Sequence, residues 1–245
     1  MSTRRLWPLL LPYALRSART LPLLIAVTAA VLLLGVPALV SGGMRLVDVV
    51  LLIRSAAVLI AVGAAFLLDD PAARTTEVVP TPRWVVHGLR IFVALLGAAA
   101  GWTAVLLLGA MAVNPDERPL LPQPGLTLEA AALLTMVIAL AALGFRLSTG
   151  NGTGAGTGGG ALAAPGVVMC VIVSVLLPLP EALDPFSQPL SAGWDPSRRV
   201  WALVLCVAVV AAVALCRERA PGQRALGLRA LGLRALGLRA LGRRG

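Results

Sequence analysis

The chain contains no lysine; all 21 of its basic residues are arginine. A Walker A loop needs a lysine to reach the nucleotide phosphates, so ATP hydrolysis by that route is excluded. Histidine occurs once, at His87, which excludes a His-based metal site or a two-histidine active site. Charge is also scarce. Of 245 residues, 13% are charged and 58% hydrophobic, where a soluble domain carries about 25% charged residues. That leaves too little polar surface to face water all round. The cysteines, Cys170, Cys206 and Cys216, include no CxxC pair. They read as small buried apolar residues rather than redox or metal ligands. No catalytic motif, cofactor site or metal site emerges, so no enzyme activity and no cofactor are expected.

What remains is apolar sequence in long blocks, with a mean hydropathy of +0.90. Residues 21–40, LPLLIAVTAAVLLLGVPALV, carry no charge. Twenty residues at about 1.5 Å each reach about 30 Å, the thickness of a bilayer core. A signal peptide has a shorter apolar core nearer the N-terminus, so an uncleaved span is expected. Similar blocks predict an all-α integral membrane protein with six transmembrane helices at about 21–40, 49–68, 91–113, 126–145, 161–179 and 200–216. Together they form one transmembrane domain over 21–219. Residues 1–20 place Arg4, Arg5, Arg16 and Arg19 around Trp7, Tyr13 and two prolines. They read as an interfacial segment or a plain basic tail.

Two charges interrupt the spans. Arg54 lies inside the second, as part of a substrate path or as a snorkelling or packing arginine. Glu129 lies in the first turn of the fourth, where the helix dipole favours an acid; a proton relay is the alternative. The pattern GAAAG at 97–101 permits close helix contact. The run RLSTGNGTGAGTGGG (146–160) reads as a flexible linker. Its chance GxGxxG match has no strand before it, so it carries no dinucleotide reading. The repeated RALGL of the 220–245 tail turns about 140° per step, so its arginines do not share a face. It reads as a disordered low-complexity expansion, loosely membrane-associated through charge, with dedicated lipid binding as the other reading.

The most punctuated stretch is DDPAARTTEVVPTPRWVVHGLR, 69–90. Asp69 and Asp70 can cap a helix opening at Pro71, and Pro80 and Pro82 stop it. The result is a short docking element or an ordinary interfacial turn. With the N-terminus inside, sixteen arginines face the cytoplasm and four (Arg45, Arg118, Arg198, Arg199) face out. That satisfies the positive-inside rule and places both termini and the 69–90 loop in the cytoplasm. The net charge of +10 is thereby explained by topology, and no nucleic-acid partner is expected.

Six spans with a larger first cytoplasmic loop resemble the permease subunits of type-2 bacterial ABC exporters. FLLDDPAARTTEVVPTPRW (66–84) and WDPSRRVW (194–201) are similar to stretches in actinobacterial ABC permeases. The resemblance covers 1–219. It implies a non-catalytic membrane subunit, multi-pass in the bacterial plasma membrane and in contact with lipid. It also implies a separate ATP-binding cassette subunit and a homo- or heterodimer of permeases. A coupling helix to the ATPase would fall at Asp69–Val79, with Asp69, Asp70, Arg74, Glu77 and Arg83 as its contact residues. The competing expectation is an orphan polytopic membrane protein with a structural or regulatory role. A secondary transporter would need more ionisable groups and internal repeats.

Overall fold

The computed structural model describes residues 20–67, 83–150, 159–177, 180 and 184–216. They form six α-helices: α1 Leu21–Ser41, α2 Leu46–Leu67, α3 Arg83–Ala112, α4 Gln123–Gly150, α5 Gly159–Leu176 and α6 Trp194–Cys216. A 3-10 turn, Arg118–Leu120, lies between α3 and α4. The all-α expectation therefore holds. Five of them are long and apolar enough to cross a bilayer. The remaining one, α5, has an apolar part of Leu162–Leu176, about 22 Å at helical rise and short of the about 30 Å core.

Helix ends differ from the expectation where polar residues continue the helix. α3 opens at Arg83 although its apolar stretch begins at Ile91. α4 runs on through RLSTG to Gly150 and α5 opens at Gly159, so both ends of the flexible linker expected at 146–160 are helical; its middle, 151–158, lies outside the described residues. α6 starts at Trp194, with Pro196 in its first turn, where a missing N–H costs nothing. The rest of the N-terminal segment before Thr20, the tail, and Asp69, Asp70, Arg74 and Glu77 also lie outside the described residues. Arg83 is the first residue of α3.

α2 is the centre of the bundle and packs against α1, α3, α4 and α5. Its Val49, Val50, Ile53 and Ile60 join Ala30 and Leu34 of α1 and Ala98 and Val105 of α3 in one core. The adjoining face, Ala57, Ala61 and Ala65, meets Ala132, Leu133 and Val137 of α4, Ala163 and Ala164 of α5, and Trp201 of α6. The GAAAG pattern receives α1. A Cβ at Gly97 would stand 2.7 Å from Leu23 Cδ2, and one at Gly101 2.7 Å from Val27 Cγ2. Gly63 lies as close to α1, with Ala26 Cβ 2.5 Å and the Leu23 backbone 3.2 Å from an added Cβ. Lipid tails supply no hydrophobic drive between helices, so such close approach is a principal source of attraction.

One end of the bundle is sewn together by its connections. Gly42 closes α1 at φ 61°, a left-handed cap that glycine adopts without penalty. Met44 N–H donates to Ala112 O at 2.8 Å, and Asn114 N–H to Met44 O at 3.1 Å. Glu117 Oε2 accepts the Leu46 N–H at 2.6 Å and so caps α2. Arg118 donates to the carbonyls of Met111 and Val113 at the finish of α3, satisfying groups the helix leaves open. At the other end Arg146 does the same for α6, donating to Ala214 O and Leu215 O at 2.9 and 2.8 Å.

Cys170 and Cys206 are exposed on helix faces, not buried as expected. The outer surface of a membrane bundle faces apolar surroundings, so a small apolar side chain gains little from moving inward.

Candidate functional site

Arg54 heads the alanine stripe of α2: residues 54, 57, 61 and 65 recur at helical spacing on one face. It sits eight residues, about 12 Å of rise, beyond the start of α2. Glu129 sits six residues, about 9 Å, beyond the start of α4 at the same end. The two helices pack together, so the charges arrive at similar depth. Arg54 Nε donates to Glu129 Oε2 at 2.9 Å and Nη2 to Oε1 at 2.8 Å, a bidentate fork. Side-chain exposure is 12% and 4%.

The guanidinium also reaches a third element. Nη1 donates to Phe186 O at 2.8 Å and Nη2 to Ser187 O at 3.0 Å. Four of its five N–H donors are thus engaged. The rings of Phe186 and Trp194 lie 5.5 and 5.8 Å from Arg54 Cζ, close enough for cation–π attraction. Both lone pairs of Pro185 O are used, by Trp201 Nε1 and Ser197 Oγ, each at 2.7 Å. Asp184 Oδ1 accepts the Phe186 N–H at 2.9 Å, and Ser187 Oγ donates to Asp184 O. Phe186 meets Trp201 edge to face at 5.6 Å. Residues 185–187 are therefore fastened to α2 and α6 at once, and Phe186 lines one cavity with Glu129 of α4.

A charge left alone at mid-bilayer costs about 2.5–3.5 kcal/mol on insertion scales. Pairing removes the net charge, and the carbonyls satisfy the remaining donors, so the depth becomes tolerable. A cavity of about 10 Å³ adjoins the pair, lined by Arg54, Ala57, Trp102, Leu126, Glu129, Leu133 and Phe186. It has room for one water. The chemistry on offer is adhesion and orientation of three helices and a connection. For the relay reading, both Glu129 oxygens already accept from Arg54.

In the sequence Arg54 and Glu129 stand out separately, and their pairing is visible only in the fold. The available signal was one charge of each sign in two otherwise apolar spans, at matching depth from the same end. Trp194 and Trp201, seven residues apart on one face of α6, were a second signal. The partner carbonyls of Phe186 and Ser187 had none, because any residue carries a carbonyl. Among the described residues no cluster of three or more His, Cys, Asp or Glu side chains is arranged to hold a metal ion. No protein-family model, curated protein or solved structure matches the chain.

Proposed function

We propose that the chain is the membrane-spanning permease subunit of an ABC-type transporter, exporting a small or amphiphilic substrate on ATP hydrolysed by a separate subunit. In this reading it crosses the bacterial plasma membrane six times with both termini in the cytoplasm, and α5 completes the set despite its short apolar part. The observation that carries the reading is the overhang of α3. Residues 83–90 continue it as helix ahead of the apolar stretch from Ile91, about 12 Å beyond the core. α4 overhangs at the same end, from its apolar limit at Gly144 to Gly150. In this reading that end is the cytoplasmic one, and the 69–82 stretch links α2 to α3 in sequence on that side. Rigid helical projections suit transmission of motion from a partner better than a loop does.

The test is purification from mild detergent with mass spectrometry of bound proteins. A nucleotide-binding ATPase should co-purify, and the combined reversal Arg74→Glu with Glu77→Arg should release it. Capture of an ATPase that is indifferent to the reversal removes the 69–82 stretch from the coupling. Absence of any ATPase favours the second reading, an orphan polytopic protein with a structural or regulatory role. The closure of the Arg54 site, with its single-water cavity, is the observation on that side.

A further inference from the structure

At the sewn end, the starts of α4 and α6 flank an open groove of about 650 Å³. Pro124, Gly125 and Leu128 form one wall, and Asp195, Arg198, Arg199 and Ala202 the other. Gly125 brings the two walls together at their base: a Cβ there would stand 2.7 Å from the Trp194 ring and 3.4 Å from Arg198 Cδ. Arg198 Nη2 holds Asp195 Oδ1 at 2.6 Å, both exposed. Arg199 is exposed and takes part in none of the ion pairs among the described residues. Two guanidiniums against one carboxylate leave the groove positive.

Below Arg199 on the same helical stripe stand Leu203, Val207 and Val210, at steps of four, eight and eleven residues. They are 65%, 61% and 68% exposed. The stripe thus runs from a free cation near the helix start to open aliphatic surface toward the bilayer centre. An amphiphile with an anionic head and hydrocarbon tail has that same order. A soluble anion would use the head of the stripe and leave the rest idle.

We propose that this groove binds one anionic phospholipid, its phosphate against Arg199 and Arg198 and an acyl chain along Leu203, Val207 and Val210. The inference rests on α6 spanning a membrane and not on the transporter reading. A guanidinium engages phosphate oxygens through paired N–H donors. Asp195 competes for Arg198 and so moderates the site.

The test uses the full chain, delipidated in a non-ionic detergent and titrated with phosphatidylglycerol under native mass spectrometry. Each basic side chain near an anionic headgroup contributes on the order of a fivefold gain in affinity. Arg198→Gln with Arg199→Gln should weaken the tightest binding by about 25-fold. The same change at Arg229 and Arg234 of the tail should leave it unaltered. Asp195→Asn should tighten it, which keeps the test decisive if the double variant folds poorly. Phosphatidylglycerol affinity unmoved by either groove variant overturns the proposal. So does phosphatidylcholine binding equally well, or displacement of the lipid by glycerol phosphate at matching concentration.

Discussion

One face of α2 presents Val49, Val50, Ile53 and Ile60 to α1 and α3, and the adjoining face presents Arg54, Ala57, Ala61 and Ala65 to α4 and α5. On the first, bulky aliphatic side chains fill the space, and glycines on α2 and α3 let α1 approach. On the second, small residues bring the helices close, and one ion pair with its carbonyl partners fixes their register. Packing contacts are individually weak, numerous and tolerant of sliding. The fork at Arg54 has one geometry, so it decides which turn of α4 faces which turn of α2. The two faces therefore divide the work into adhesion and alignment.

Breaking the alignment face should have the largest effect. Glu129→Leu leaves Arg54 buried beside an apolar side chain and should cost about 3–5 kcal/mol in unfolding from mild detergent. Adding Arg54→Leu should restore most of that loss, because the uncompensated charge disappears with it. A double variant no more stable than Glu129→Leu alone would show that the pair acts through something other than charge balance.

The adhesion face should yield less to a single change. Gly63→Val forces atoms against Ala26 and the Leu23 backbone of α1, and backbone does not give way as a side-chain tip does. A loss of about 1–3 kcal/mol is expected in the same unfolding assay. Crosslinking between α2 and α4 should stay intact in this variant, and its loss would mean the two faces are not separable.

The smallest effect is expected at the margin of the alignment face. Trp201→Phe keeps the ring against Phe186 but removes the donor to Pro185 O, which retains Ser197 Oγ. About 1 kcal/mol should be lost, with faster hydrogen exchange at the Phe186 amide. Unchanged exchange there would dissociate the tryptophan from the folding of this connection.

The positions of the helices were legible because bilayer thickness and helical rise together set a minimum length for an uncharged run. Their ends were less so. Trp194 to Arg199 reads as a polar loop by composition, yet it forms the first turns of α6, where Asp195 and Arg198 pair at i and i+3. RLSTG reads as linker, yet it extends α4, and Arg146 within it closes the end of α6. The site was half legible. A charge in an apolar run announces itself, but its partner lies 75 residues away, and no local pattern encodes that distance. Backbone carbonyls such as those of Phe186 and Ser187 are invisible in any one-dimensional reading.

The same separation sets an order of events during synthesis. Arg54 leaves the ribosome 75 residues before Glu129 and 132 before Phe186. At about 5–20 residues per second, the counter-charge follows about 4–15 s later and the carbonyl clasp about 7–26 s later. Through that interval α2 carries an unmatched cation, at a cost of about 2.5–3.5 kcal/mol if it enters the bilayer alone. Among the described helices, the aliphatic neighbours α1 and α3, both made before α4, are the folding partners that can hold it there. The face of α2 that contributes adhesion in the finished bundle is thus also the nascent chain's means of waiting for its own fourth helix.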